Sequence, residues 1–299
     1  MRFHTDEHFN IGHEHVTGGK PCQDHALSGV HEGAAYAVVS DGCSSGGHTD
    51  IGARLMSLSA AAAIREHWSS TQNAVALSAP QDVVLRQRLI LGGIKETLRL
   101  ESDDMLATCA YVYLSPEGGF IHLRGDGVIA LVYDDGIVLR RYDWPNNTPF
   151  YPAYVENTLP VFVSAHGGDI NARVLTEKTF TNRAGAQLLP EANRNFSIAD
   201  GIRGVTIPVS KDELANRLAY VAVFSDGVCR VENMDWQDAA RELLAFKSAE
   251  GVFAKRRMMR FMKDTRAVGK GPLDDIAYTV IRIDRSDEVI QTEGKTDGS

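Results

Sequence analysis

Two apolar stretches of the sequence, AAYAVV at 34–39 and AYVAVF at 219–224, run into the same three residues, Ser40-Asp41-Gly42 and Ser225-Asp226-Gly227. An aspartate where a strand stops puts a carboxylate at the rim of a sheet, and the glycine behind it lets the backbone turn sharply and come close to a ligand. Two such carboxylates near each other repel unless a cation lies between them. Asp274-Asp275, directly before a final strand, and Asp24, just ahead of a first one, are further acids of the same kind. Rim carboxylates with no His or Cys partner make an all-oxygen site suited to magnesium or manganese, not zinc. Asp-Gly after a strand is also an ordinary turn; the second copy of the phrase favours a site.

The elements that must position these acids follow from periodicity. LATCAYVYL (106–114), GFIHL (119–123), VIALVY (128–133) and IVLRRY (137–142) are separated by Pro-Glu-Gly-Gly, Gly-Asp-Gly and Asp-Asp-Gly, which read as hairpin signals and predict an antiparallel meander. A helix is expected from Thr49 or Asp50 with Ile51, Leu55, Leu58 and Ala62 on one face, and a second over 82–99 with Val84, Leu91, Ile94 and Leu98. Two more are expected over 235–247 and 249–263, before a last strand at 277–283. Residues 143–210 carry Pro145, Pro149, Pro152, Pro160, Pro190 and Pro208 and read as a long irregular insertion with some strands and a flap. The tail from Ser286 is polar and expected to fray. Strands joined by hairpins, with helices between, give an α+β class.

Composition narrows the function. Formal net charge is −8 over 299 residues, against a broad grip on nucleic acid, which needs clustered cations. The start, MRFHTDEHFN, lacks the charged and apolar regions of a secretory signal, and no apolar run is long enough for a membrane span; no membrane partner and a cytoplasmic location are expected. Cys22, Cys43, Cys109 and Cys229 form no CxxC pair, so neither a zinc site nor a disulfide framework is suggested. His4, His8, His13 and His15 are irregularly spaced and read as surface histidines, with His15 the exception worth testing.

In order and rough spacing, CQD at 22–24, VVSDG at 38–42, LATCAYVYL, RGDG at 124–127, VFSDG at 223–227 and DDIAYTV at 274–280 resemble the protein phosphatase 2C (PPM) family. HEHVTGGKPCQDH and DGCSSGGHTDIGARL look most like its bacterial branch. The resemblance implies a four-layer αββα sandwich, two antiparallel β-sheets flanked by helix pairs, with residues 1–285 as one phosphatase domain. It further implies a metal-dependent Ser/Thr protein phosphatase holding two Mn2+ or Mg2+ ions. By motif position Asp41 would bridge both ions and the Gly42 carbonyl would bind one. Asp226 and Asp274 would bind the other, and Asp24 would hold one directly or through water.

Departures from the family pattern bear on the rest of the site. The arginine that grips phosphate ahead of the first acidic motif is missing; Lys20 and His15 stand nearby, and Lys offers a point charge without the bidentate fork. Arg230 occupies the position of a further family aspartate, which puts a third metal at Asp126 in doubt. His48, seven residues after Asp41, is a candidate general acid for the leaving oxygen, with a capping or solvent-facing histidine as the other reading. The implied partners are a phosphorylated Ser/Thr protein and a Ser/Thr kinase whose work it reverses. The alternatives are a small-molecule phosphoester phosphatase of the same fold and a pseudophosphatase that binds without turnover.

Overall fold

The structure, a computed structural model, describes residues 1–70, 78–154, 158–183, 187–269 and 271–285; the tail expected to fray from Ser286 lies outside the described residues. In chain order the elements are β1 (Arg2–Asn10), α1 (His13–Gly18), β2 (Asp24–His31), β3 (Ala34–Asp41), α2 (Thr49–Ser70), α3 (Ala79–Leu98), β4 (Cys109–Ser115), β5 (Gly118–Arg124), β6 (Gly127–Tyr133) and β7 (Gly136–Asp143). There follow α4 (Leu159–Ala165), β8 (Arg173–Arg183), β9 (Leu189–Ser197), α5 (Ile198–Arg203), β10 (Val205–Ser210), α6 (Lys211–Asn216), β11 (Leu218–Phe224), α7 (Trp236–Leu244), α8 (Phe253–Ala267) and β12 (Ile276–Asp284).

The strands form two antiparallel sheets. Seven run in the order β1-β12-β11-β6-β7-β8-β9 and five in the order β10-β5-β4-β3-β2. Alternate residues of each strand point to opposite faces, so β4 sends Ala110, Val112 and Leu114 between the sheets and Cys109, Tyr111 and Tyr113 toward α2 and α3. Across the inner layer they meet Ile129, Leu131, Val221, Val223 and Ile281 of the larger sheet. That sheet's outer face packs Val128, Ala222, Phe224 and Tyr278 against Leu243, Met258 and Phe261 of α7 and α8. Helix pair, sheet, sheet, helix pair is the expected four-layer order. Both faces of the central strands are covered, which is why every residue of β4 is buried and why the run reads as continuously apolar.

Five expectations need correction. The 106–142 run is not one meander: Gly125-Asp126-Gly127 carries the chain from β5 in the smaller sheet to β6 in the larger. Gly125 (φ 119°) and Gly127 (φ 132°) adopt backbone that L side chains avoid. A Cβ would also lie 2.6 Å from the Thr108 side chain at Gly125 and 2.6 Å from the Phe224 carbonyl at Gly127.

The α2 face is also different. Ile51 and Leu58 are exposed, and the helix turns Gly52, Ala53, Met56, Ala60, Ala63 and Ile64 inward. Small residues let the axis approach its neighbours, and a Cβ on Gly52 would sit 2.1 Å from the Asp104 carbonyl. On α3, Val83 and Gln87 are buried while Leu98 is exposed, Gln87 being held by a hydrogen bond from its amide to the Met56 carbonyl at 3.0 Å.

The first ten residues, not expected as a strand, form β1 along the edge of the larger sheet against β12. Backbone pairing, not apolar content, holds them there, since only Phe3 and Asp6 of the strand are buried. The 143–210 segment is more regular than its prolines suggest. Its β8 and β9 extend the larger sheet beyond β7, and β10 pairs with β5 at the edge of the smaller one.

Candidate active site

Each Ser-Asp-Gly closes a central strand and is pinned to the neighbouring strand. In the smaller sheet Asp41 donates its backbone N–H to Thr108 Oγ1 (3.1 Å), accepts from Thr108 N (2.8 Å), and Ser40 Oγ donates to the Thr108 carbonyl (2.5 Å). Asp24, the first residue of β2, stands opposite Asp41 in the ladder. In the larger sheet Ser225 N donates to the Ala277 carbonyl (3.0 Å) and Ser225 Oγ accepts from Ala277 N (2.9 Å). Asp226 then opens a short 3-10 turn, Asp226–Cys229.

The sheets bring the two turns together. The Asp41 and Asp226 carboxyls come close enough to act on each other directly. Asp126, in the crossover between sheets, lies in the field of Asp226 and Asp143.

Burial pushes the carboxyls of Asp24, Asp41 and Asp126 well above the usual range, and the charges of neighbouring aspartates push further in the same direction. Asp226 is raised too, first by burial and then by Asp274, but the nearby Asp41 carboxyl and the guanidiniums of Arg230 and Arg141 oppose the rise.

A cation would relieve this crowding. Among the described residues no three His, Cys, Asp or Glu side chains stand as a ready-made ion cage. The donor chemistry nonetheless fits one: Asp24 Oδ2 is buried with no hydrogen-bond partner, and the converging groups are carboxylates, the donors hard divalent cations take. Asp24, Asp41 and Asp226 belong to this group. Gly42 follows Asp41 so closely packed that a Cβ would lie 2.7 Å from both the Gln23 and Thr49 carbonyls. Asp274 lies in the field of Asp24 and Asp226, while its Oδ2 also accepts from Arg230 Nη1 at 2.8 Å.

The three residues expected to act on phosphate lie around this centre in different ways. His15 is buried, its Nδ1 2.8 Å from Asp275 Oδ2 and its Nε2 3.3 Å from Ser44 Oγ. Lys20 donates from Nζ to the Ser44 carbonyl at 2.9 Å. Both therefore brace the loop that follows Asp41-Gly42. His48 is exposed at the start of α2, where its backbone N–H donates to Asp104 Oδ1 (2.8 Å). Among the described residues its ring makes no hydrogen bond to the carboxylates.

Asp275 has a separate task. Its carboxylate accepts from Gly12 N (2.7 Å), Gln23 N (2.5 Å) and His15, tying α1 and the approach to β2 onto the start of β12.

Sequence reasoning missed two neighbours. Arg141, at the end of β7, bonds Asp143 Oδ1 at 2.7 Å and sets a guanidinium beside Asp226; the Arg-Arg-Tyr-Asp ending of that strand was the available signal. Tyr151 comes from the proline-rich segment to meet Cys43, and its hydroxyl lies in the fields of Asp41 and Asp126. Nothing local in its sequence marks it.

Residues 11–265 match the sequence pattern of the family described as Protein phosphatase 2C. The chain belongs to the protein phosphatase 2C family. Its fold is shared with solved bacterial Ser/Thr phosphatases. The S. agalactiae serine/threonine phosphatase is 14% identical with a TM-score of 0.54, covering 94% of this chain and 100% of that one. The serine/threonine phosphatase Stp1 from Staphylococcus aureus is 10% identical with a TM-score of 0.51, covering 95% and 96%. At such identities the likeness speaks for the fold alone. No curated protein matches this phosphatase 2C family chain in sequence. No helix among its described residues is long and apolar enough to cross a membrane.

Proposed function

We propose that this chain is a metal-dependent phosphatase acting on phosphoserine or phosphothreonine in a protein, with a Ser/Thr kinase as its counterpart. The observation that carries the reading is the meeting of Asp41 and Asp226, from two strands of different sheets, beside the orphaned Oδ2 of Asp24. Asp24, Asp41, the Gly42 carbonyl, Asp226 and Asp274 would hold two manganese or magnesium ions. When bound, such a pair supplies a water of lowered pKa and neutralises charge on the phosphoryl oxygens.

The chain's own residues do the rest. Asp41 and Asp226, both raised by burial, must be ionised before both can act as ligands. Arg141 keeps a fixed positive charge beside Asp226, and Lys20 and His15 hold the Ser44 loop in place. Tyr151 fences the Asp41 side with an aromatic ring from the 143–210 segment.

The Arg230–Asp274 ion pair favours a second reading, because a guanidinium on that carboxylate competes with a metal. In that case the chain would bind a phosphoprotein without turning it over. Hydrolysis of p-nitrophenyl phosphate and of a phosphothreonine peptide, with manganese, with magnesium and with EDTA, separates the two. Metal-dependent turnover that collapses in Asp226→Asn is the expected result; a metal-loaded wild type that hydrolyses neither ester sinks the enzyme reading.

A further inference from the structure

A cavity of about 400 Å3 opens between α3 and the segment Phe150–Tyr154, within the size range of small-molecule sites. One wall is apolar: Val84 and Leu91 of α3 face Phe150, Tyr154 and Leu159 across it. The other feature is charge. Arg88 and Lys95, seven residues apart on α3 and so on one face, and Arg124 from the end of β5 all line the space.

Arg124 is half-buried, its guanidinium 5.3 Å from the centre of the Phe150 ring, and it donates one hydrogen bond, from Nε to the Ile202 carbonyl at 3.3 Å. Burial, with Arg88 adding to it, holds its pKa below the usual arginine range, against the opposing pull of Cys109 and Tyr111. Lys95 bonds Ser102 Oγ at 2.6 Å and lies in the field of Asp104. Among the described residues neither Arg88 nor Arg124 has a carboxylate partner. A half-buried guanidinium near a second one, with no carboxylate partner among the described residues, is an unfavourable arrangement that a bound anion would relieve.

We propose that this cavity is a ligand site for a small amphipathic anion, its charged head on Arg124 and Arg88 and its apolar body against Leu91, Tyr154 and Leu159. The site is separate from the carboxylates and takes the opposite charge. Tyr151, which meets Cys43 beside Asp41-Gly42, follows the lining residue Phe150 in the chain but does not itself line the cavity.

The test is a fluorescence titration of the full chain with anilinonaphthalene sulfonate, against the uncharged N-phenylnaphthylamine, without added metal, so that the result stands apart from phosphoester turnover. Saturable binding of one sulfonate per chain is expected, on the order of tenfold tighter than the neutral analogue, as a head-group charge interaction requires. Arg88→Glu, an exposed substitution on α3, should weaken the sulfonate by on the order of tenfold or more. Leu91→Trp, which fills the apolar end, should abolish binding of both probes; thermal unfolding of each variant shows whether it is folded. Equal affinity for the two probes, or sulfonate binding unchanged in both folded variants, overturns the proposal. So does a large gain in affinity on truncation after Arg285, which would make the chain's own C-terminal segment the occupant. A titration that splits a dimer also overturns it, by assigning the cavity to a second copy.

Discussion

The two Ser-Asp-Gly turns share a sequence and differ in how their charge is balanced. Asp41 faces Asp24 across the ladder and is surrounded by Asp24, Asp226 and Asp126, each of which raises its carboxyl further. Asp226 has two arginines, Arg230 and Arg141, working the other way. The turn on the smaller sheet thus depends on a charge from outside the chain, whereas the turn on the larger sheet carries part of its counter-charge already. One motif written twice has become two half-sites of unequal need.

The sharpest way to test this asymmetry is to neutralise each acid in turn. If the proposed function holds, Asp41→Asn and Asp226→Asn should each lower metal-dependent turnover on the order of 10²-fold or more, the scale for losing one preorganised electrostatic contact. Equal loss of activity but unequal change in metal-free stability is the expected signature: Asp41→Asn should stabilise the metal-free protein more than Asp226→Asn at neutral pH, measured by urea unfolding. A larger gain for Asp226→Asn would reverse the comparison.

The glycines give the next largest effect. A Cβ on Gly227 would lie 1.7 Å from the Asp275 carbonyl, against 2.7 Å from the nearest backbone oxygens at Gly42. Both contacts are with backbone and cannot swing away. Overpacking of this kind costs about 1–3 kcal/mol, so Gly227→Ala is expected at or beyond the top of that range and Gly42→Ala below it, by chemical denaturation.

The pH dependence refines the same picture. An aspartate whose folded value is raised lends stability below its unfolded value of about 3.9 and withdraws it as pH climbs through the raised value. Metal-free protein should therefore lose stability as pH rises above about 4. Asp41→Asn should flatten that slope more than Asp226→Asn, because the aspartates around Asp41 push its carboxyl up whereas Arg230 and Arg141 oppose the rise at Asp226. The smallest expected change is at Arg230. Its ion pair with Asp274 is partly exposed and contributes less than about 1 kcal/mol, so Arg230→Gln should barely move the unfolding midpoint. It should tighten manganese binding by calorimetry, since it frees the Asp274 carboxylate; unchanged affinity would show that the pair does not compete.

What was legible in the sequence was local. Apolar strands stopped by Asp-Gly announced the acids at the rim, and the alternation of strands with helices announced the layers. Gly-Asp-Gly looked like a hairpin because two glycines around an aspartate satisfy a tight turn and a crossing between sheets equally well. The face of α2 was misread because hydrophobicity favours Ile51 and Leu58, whereas close approach favours Gly52, Ala53 and Ala60. β1 was missed because an edge strand held by backbone pairing needs little apolar content. Tyr151, the placement of Arg141 beside Asp226 and the Arg230–Asp274 pair are products of tertiary packing, between residues tens of positions or more apart.

The Asp275 carboxylate, gripping Gly12, His15 and Gln23, has a consequence in time. Contacts spanning some 250 residues close very long loops and carry a large entropic delay. During synthesis Asp41 emerges early, but its last neighbours cannot dock until β12 is available. A growing chain therefore holds an incomplete centre until nearly all of it has been made, and ribosome-held chains stopped before residue 274 lack both Asp274 and the β12 strand that joins β1 to β11.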